Sequence, residues 1–143
     1  MVIGYTTGVF DLFHIGHLHL LKNSKSLCDK LVVGVTTDDL VSYKGREPIV
    51  PFEERIEIVR SCKYVDLAVP QNDMDKLSAC KKLNASILFV GDDWYNTDKW
   101  NEYEKELALA GIKIIYFPRV QNRSSTRLKE LCAKNGKKSE IIK

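Results

Sequence analysis

Five runs of apolar, mostly β-branched residues recur along the chain, and a helical pattern of apolar residues follows each of them. Continuous apolar runs are typical of strands buried on both faces, which belong to parallel sheets covered by helices. With right-handed crossovers, this order predicts an α/β fold: a doubly wound, Rossmann-like parallel five-stranded sheet with helices on both faces. The predicted strands are Val2–Thr6, Lys30–Thr37, Tyr64–Val69, Ser86–Val90 and Ile112–Phe117, and the predicted helices are Ile15–Cys28, Phe52–Cys62, Asp73–Leu83, Lys99–Ala110 and Ser124–Ala133.

The composition is that of one globular domain with a short charged extension. Hydrophobic residues make up 44% and charged residues 29% of the 143 residues, and the formal net charge is +3. We predict one domain over residues 1–133 and a basic, solvated tail over residues 134–143. Without a basic stripe, a signal peptide or an apolar run of roughly 18 residues, we expect no nucleic-acid partner and no membrane. The four cysteines form no C-x-x-C pair, which favours reduced thiols in the cytoplasm.

The loops at the carboxyl ends of the predicted strands are where such sheets bind their ligands. Those expected to matter are Thr7–Phe13, Thr37–Pro51, Gly91–Asp98 and Pro118–Arg123. The first of them reads T-G-V-F-D-L-F rather than G-x-G-x-x-G. A dinucleotide-dependent dehydrogenase is therefore disfavoured.

All three histidines of the chain fall between residues 14 and 19, at the mouth of the first predicted helix. His14 and His17 share a helix face, and His19 lies off it. The backbone N–H groups of His14, Gly16 and His17 lie at the positive end of the helix dipole, which favours a phosphate. Two other interpretations stay open: histidines without a task, and a metal pair. A closed zinc site needs four ligands, and no further histidine or paired cysteines supply them.

Six motifs follow one another along the chain, and their combination is far more specific than any one of them. They are G-V-F-D-L-F-H-I-G-H at Gly8–His17, Lys44, E-R at Glu54–Arg55, G-D-D-W at Gly91–Trp94, P-R at Pro118–Arg119 and S-S-T at Ser124–Thr126. In this pattern the chain resembles the H-x-G-H nucleotidylyltransferase superfamily. It is most similar to the bacterial glycerol-3-phosphate cytidylyltransferases and their choline- and ethanolamine-phosphate relatives. The resemblance runs from Ile3 to about Leu131.

The resemblance implies an enzyme that transfers CMP from CTP to a small phosphomonoester and releases pyrophosphate. The first candidate for this acceptor is glycerol 3-phosphate. The attacking group is then a phosphate oxygen, whose second pKa of about 6 makes a strong general base unnecessary. The protein has to hold the two reactants in position and to supply positive charge around a polyphosphate. The expected cofactor is Mg²⁺, bound mainly through the triphosphate and not by a site made of protein alone. The family also implies a homodimer.

The resemblance assigns a role to each motif. The catalytic residues are His14, His17, Lys44 and Arg119; the histidines contact the triphosphate, and Lys44 reaches the α-phosphate or the acceptor phosphate. The nucleotide-binding residues are Thr7, Gly8, Val9, Phe10, Gly16, Asp92, Asp93, Ser124, Ser125 and Thr126. The residues assigned to the acceptor are Asp11, Lys44, Arg55, Trp94 and Arg123.

Structural alternatives stay open for the residues assigned to the acceptor. Asp11 either holds its own loop or faces the acceptor, and Lys44 is a plain surface lysine in the alternative interpretation. Arg55 stands in a helix rich in glutamate, so a salt bridge to Glu53, Glu57 or a neighbour is the alternative to a substrate contact.

The nucleotide motifs near the end of the chain also have alternatives. A carboxylate of Asp92 or Asp93 holds the base or ribose, helps to place Mg²⁺, or caps its own loop. Trp94 belongs either to the core or to the wall of the acceptor site. Arg119 and Ser124–Thr126 suit the β- and γ-phosphates, because hydroxyl and N–H groups meet at a helix start, and simple capping is the alternative.

Two stretches depart from the family pattern. The usual R-T-E-G-I-S-T-T reads R-V-Q-N-R-S-S-T at Arg119–Thr126, and the usual Y-G-T-F reads T-G-V-F at Thr7–Phe10. The new Arg123 favours a more anionic acceptor. The acceptor and the nucleotide therefore stay open, with three alternatives: a phosphocholine or phosphoethanolamine cytidylyltransferase, an ATP-dependent adenylyltransferase, and a non-catalytic nucleotide-binding module.

Overall fold

A computed structural model describes residues 1–43, 45, 47–91, 95–118 and 130–133, and the elements below belong to these residues. The strands are β1 (Ile3–Gly8), β2 (Lys30–Thr36), β3 (Leu67–Gln71), β4 (Ile87–Gly91) and β5 (Lys113–Phe117), and the helices are α1 (Ile15–Ser26), α2 (Asp38–Tyr43), α3 (Phe52–Arg60), α4 (Lys76–Leu83) and α5 (Asp98–Leu109). Residues 130–133 are helical and agree with the end of the last predicted helix, whose other residues lie outside the described ranges. None of the described helices is both long and apolar enough to cross a membrane.

The five strands form one parallel sheet in the order β3-β2-β1-β4-β5. β1 is central, with Ile3 beside Lys30 of β2 and Gly4 beside Ile87 of β4. The winding reverses between β1 and β4, because the first crossovers move towards β3 and the later ones towards β5. The doubly wound prediction is confirmed, and the reversal marks the place where the carboxyl ends of two strands diverge around a ligand.

The core lies in two layers, one on each face of the sheet, as predicted. Alternate residues of β2 show this: Val32 points to one layer, and Leu31 and Val33 point to the other. Helices α4 and α5 cover the face that contains Val32, where Leu107 is fully buried. Helices α1 and α3 cover the opposite face, where Leu21 is fully buried.

Most element boundaries shift by one to three residues from the sequence prediction, and two differences have a clear physical reason. The polar connection predicted from Asp38 contains α2, a helix of six residues that is too short to show an apolar period. The third strand was expected to stop before Pro70, but Pro70 lies inside β3, paired with Val35. Proline is tolerated there because β3 is an edge strand, which needs a backbone donor on only one side.

Gly34 of β2 is required by the side chain that crosses it. A Cβ atom at Gly34 would overlap the hydroxyl oxygen of Tyr5 and lie 3.2 Å from Cγ2 of Thr7. Tyr5 is 2% exposed, and its burial raises the pKa of its hydroxyl. The tyrosine therefore fills the space that any larger residue at this position would need.

We expect Gly34→Ala to lower the free energy of unfolding by about 1–3 kcal/mol, because a fully packed core has no room for the methyl group. In a Tyr5→Phe background the same substitution should cost about half as much, because the overlapping hydroxyl is gone. Urea denaturation of the two single variants and the double variant measures both costs. Equal costs in the two backgrounds would contradict the proposed contact.

Candidate active site

An open cleft of about 450 Å³ lies where β1 and β4 end, the position at which α/β sheets bind ligands. We call it the switch-point cleft. Its lining residues come from the ends of four strands, the loops after β1 and β3, and three helices. They are Thr6, Thr7, Gly8, Val9, Leu20, Thr36, Gln71, Met74, Lys76, Val90, Gly91, Lys99, Trp100 and Tyr103.

The cleft contains some of the predicted residues and several that sequence reasoning missed. Thr7–Val9 line it, as the first loop was expected to do, and Phe10–His17 continue from them as a turn and the start of α1. Gln71 and Lys76 were missed, because the loop after the third strand was not among the four loops selected. The available signal was the position of Gln71 at the carboxyl end of that strand.

The turn after β1 holds an unfavourable backbone conformation. Phe10 and Leu12 have φ values of 54° and 50°, which cost a non-glycine residue about 1–2 kcal/mol each. The side chain of Phe10 is buried in the core, and the Asp11 carboxylate accepts backbone hydrogen bonds from Ile49 and Val50, both at 2.9 Å. Asp11 is 2% exposed, so of its two predicted roles the structure shows the loop-holding one.

Two imidazoles cap the start of α1. The N–H of His14 donates to Nδ1 of His17 at 3.1 Å, and the N–H of Gly16 donates to Nδ1 of His14 at 3.0 Å. This is a capping box in which imidazoles replace the usual hydroxyl and carboxylate. Because each Nδ1 accepts a hydrogen bond, each neutral ring carries its proton on Nε2.

The capping box corrects one sequence expectation. The backbone N–H groups of His14 and Gly16 were expected to bind a phosphate directly, but both donate to the imidazoles. The donors that the pair carries on the far side of the rings are the Nε2–H groups. An anion at this helix mouth is therefore expected to meet side chains before it meets backbone.

Close packing keeps His17 uncharged. The ring centroids of His14 and His17 are 3.9 Å apart, and the rings of Phe10 and Phe13 lie 5.3 and 5.4 Å from that of His17. Burial, and to a smaller extent the neighbouring His14, lowers the pKa of His17 from 6.5 to about 4, while Asp11 opposes the shift. His17 is thus neutral at pH 7. A polyanion bound nearby would raise this pKa, because an opposite charge favours the imidazolium.

Arg55 lies beneath the loops and not in the cleft. Its fully buried guanidinium donates from Nε to the carbonyl of Val50 at 2.8 Å, and from Nη1 to the carbonyls of Val9 and Thr36, both at 2.7 Å. Nη2 forms an ion pair with Asp38 at 2.6 Å. The expected substrate contact is therefore wrong for this conformation. Arg55 is a positioning residue, and its acidic partner is Asp38, not a glutamate.

The remaining predicted site residues lie outside the described ranges. They are Lys44, Asp92, Asp93, Trp94, Arg119, Arg123, Ser124, Ser125 and Thr126. Gly91, which directly precedes Asp92, lines the switch-point cleft. Within the described part of the chain, no group of three or more His, Cys, Asp or Glu side chains could hold a metal ion.

Comparison with known proteins gives consistent similarities. Residues 5–141 match the family described as Cytidylyltransferase-like. The chain is 33% identical over 127 residues to a glycerol-3-phosphate cytidylyltransferase of Bacillus spizizenii, which covers 87% of this chain and 92% of that one. It is 36% identical over 137 residues to an FAD synthase of Methanothrix thermoacetophila, which covers 96% and 91%. The crystal structure of the lipopolysaccharide core biosynthesis protein from Thermoplasma volcanium has a TM-score of 0.70 at 31% identity, covering 84% and 97%.

Replacing Arg55 should destabilise the whole loop end of the sheet. We expect Arg55→Met to lower the free energy of unfolding by about 3 kcal/mol or more, because three carbonyls lose a charged donor. Arg60→Ala is the matched control, since Arg60 is exposed and, among the described residues, forms its ion pair with Glu57 one turn earlier. Urea denaturation should show a change within about 0.5 kcal/mol for the control. An Arg55 variant as stable as the control would refute the positioning role.

His17 should make the protein less stable in acid. Its pKa is 6.5 when unfolded and about 4 when folded, so between these values the unfolded chain binds more protons. Stability should therefore fall as the pH falls from 6.5 to 4, by roughly 3 kcal/mol in total. His17→Asn, which keeps a hydrogen-bond acceptor, should remove this part of the pH dependence. His19→Asn should retain it, because His19 is exposed on the same helix. Urea denaturation of the three proteins at several pH values measures the difference.

Proposed function

Because the chain belongs to the cytidylyltransferase-like family, we propose that it transfers CMP from CTP to a small phosphomonoester. The first candidate for this acceptor is glycerol 3-phosphate. In this reaction an oxygen of the acceptor phosphate attacks the α-phosphorus of CTP. The bond from that phosphorus to the oxygen bridging to the β-phosphate breaks, and pyrophosphate leaves with the electron pair. The products are a CDP-alcohol and pyrophosphate, so the protein is a nucleotidyltransferase in the coarser sense that its relatives support.

The single observation that carries the proposal is the imidazole capping box. It fixes two rings 3.9 Å apart, with the Nε2 proton on each and a helix dipole behind them. The Nε2–H group of His17 suits phosphate oxygens whose negative charge grows as pyrophosphate leaves, whereas Nε2 of His14 is buried in this conformation. Because its low pKa keeps His17 neutral at pH 7, the ring would first stabilise the phosphate charge by a hydrogen bond. The approach of the triphosphate then favours protonation of the ring and adds a positive charge.

The other elements of the proposal come from the resemblance. Lys44, Arg119 and the hydroxyl groups of Ser124–Thr126 would hold the remaining phosphate oxygens. Mg²⁺ would enter with CTP, whose phosphate oxygens are the hard ligands that it prefers. We also propose that the protein is a homodimer in the cytoplasm, where its four free cysteines stay reduced.

A specific observation favours a second candidate function, that of an ATP-dependent adenylyltransferase. The FAD synthase of Methanothrix thermoacetophila is as similar to this chain as the cytidylyltransferase of Bacillus spizizenii, and over a longer stretch. The two candidates share the histidine pair and differ in the base and in the acceptor. Thermal shifts with CTP and with ATP separate them, because a ligand at 100 times its Kd stabilises the fold by about 2.7 kcal/mol.

The reaction itself is tested by pyrophosphate release with Mg²⁺, CTP or ATP, and each of glycerol 3-phosphate, phosphocholine, phosphoethanolamine and sugar 1-phosphates. We expect CTP with glycerol 3-phosphate to give the highest rate. His17→Asn should lower kcat by roughly 100- to 1000-fold, because the loss of one hydrogen-bond donor to the transition state has this effect in other enzymes. His19→Asn should leave kcat unchanged. Binding of CTP without pyrophosphate release from any acceptor would instead indicate a non-catalytic nucleotide-binding module.

A further inference from the structure

The two peptide groups that follow β1 have their carbonyls turned to the same side. The hydroxyl of Thr36 on β2 donates to the carbonyl of Gly8 at 3.1 Å, and Arg55 on α3 donates to the carbonyl of Val9 at 2.7 Å. The C=O and N–H groups of one trans peptide unit point in opposite directions, and none of the described peptide bonds is cis. The N–H groups of Val9 and Phe10 therefore point away from β2 and α3.

These N–H groups point to the side on which the switch-point cleft lies. The pairing of β1 with β4 ends at Thr6, whereas its pairing with β2 continues to Gly8. β1 thus separates from β4 first, and Val9 lines the cleft that opens between them. Neither the N–H of Val9 nor that of Phe10 is used in a hydrogen bond between described residues. Successive N–H groups that point the same way form a concavity that binds anions.

The first of these peptide groups needs a partner to hold it, because it follows a glycine. A Cβ atom at Gly8 would lie 3.0 Å from the ring of Phe10, so the packing of this ring favours glycine. Without a Cβ atom, glycine also lets the next peptide group rotate more easily than other residues do. Such a rotation would turn the carbonyl of Gly8 towards the cleft and present an oxygen, not an N–H, to a polyanion. The hydroxyl of Thr36 opposes this rotation.

The side chain of Thr36 is itself fixed from the neighbouring strand. Thr36 is 1% exposed, and its hydroxyl donates to Oε1 of Gln71 at 2.7 Å as well as to the carbonyl of Gly8. One hydrogen shared by two acceptors is a three-centre bond, and this arrangement holds the side chain in one rotamer. Gln71 is the last residue of β3, so the ends of three strands are joined at this hydroxyl.

We infer that Thr36 is a positioning residue for the triphosphate: its hydroxyl keeps the carbonyl of Gly8 turned away from the cleft, so that the N–H of Val9 donates to a phosphate oxygen. Arg55 holds the next carbonyl in the same way, which orients the N–H of Phe10. The resemblance assigned Val9 and Phe10 to the nucleotide and gave Thr36 no role. The inference rests on the proposed function for the identity of the ligand, a nucleoside triphosphate.

The test measures the Kd of tripolyphosphate, which carries three phosphates without a base, by isothermal titration calorimetry with Mg²⁺. Thr36→Val keeps the shape of the side chain and removes its hydroxyl. We expect it to raise the Kd about tenfold, the contribution of one hydrogen bond to a charged group. Thr36→Ser keeps the hydroxyl and should stay within about threefold of the wild-type Kd. Thr37→Val is the matched control and should leave the Kd unchanged, because the Thr37 hydroxyl accepts from the N–H of Leu40 in α2.

Amide NMR adds a measurement that a general loss of stability does not change. In the wild-type protein, tripolyphosphate should shift the amide proton resonances of Val9 and Phe10 downfield, as hydrogen bonds to a phosphate oxygen do. In Thr36→Val the shift of Val9 should decrease more than that of Phe10, because Arg55 still holds the carbonyl of Val9. Urea denaturation shows whether each variant is folded under the conditions of the titration.

These binding measurements keep the inference distinct from the proposed reaction. Tripolyphosphate binding that depends on the Thr36 hydroxyl would support the inference even if no acceptor led to pyrophosphate release, and the proposed reaction alone would then be rejected. Three results would overturn the inference: no binding of tripolyphosphate by the wild-type protein, an unchanged Kd in Thr36→Val, or a loss of affinity in Thr36→Ser as large as that in Thr36→Val. Wild-type amide resonances of Val9 and Phe10 that do not respond to tripolyphosphate would also overturn it, without any variant.

Discussion

The guanidinium of Arg55 is the interaction on which the ligand-binding end of this sheet depends. Strand carbonyls at the end of a parallel sheet lose their neighbours, so their oxygens need donors from elsewhere. One buried group supplies bonds to Val9, Thr36 and Val50 and an ion pair with Asp38. Its planar fork reaches these directions at once, which the compact ammonium of a lysine could not. The loops after β1 and β2 are thus fixed relative to one another before any ligand binds.

Carboxylates near the site serve the same purpose as Arg55. Asp11 accepts from the N–H groups of Ile49 and Val50, and the second oxygen of Asp38 accepts from the N–H of Phe52 at 3.2 Å. These acids are therefore engaged with the backbone and hold the connection from β2 to α3. The described lining of the switch-point cleft carries lysines, hydroxyls and an amide and no acid, a set that favours a negatively charged ligand.

The sheet and its winding could be predicted from the sequence, because every buried strand is a continuous apolar run and every covering helix except α2 has a long enough apolar period. The strand boundary at Pro70 could not, since the tolerance for proline depends on an edge position that appears only after assembly. The histidine motif is local and was found. The bonding of its N–H groups is also local, but imidazoles take the place of the usual capping side chains, which a residue pattern does not report. The buried position of Arg55 and the position of Gln71 in the cleft depend on partners far away in the chain.

The histidine pair and the residues after β3 belong to different parts of this fold. The histidine pair starts α1 on one face of the sheet and is supported by the β1 turn, whereas Lys76 and Trp100 belong to α4 and α5 on the other face. Lys76 follows β3, an edge strand whose loop carries none of the bonds made by Arg55. Changes in that loop can therefore leave the bonds that hold the β1 turn unchanged. Relatives with two different names match nearly the whole chain at similar identity, which is consistent with this separation.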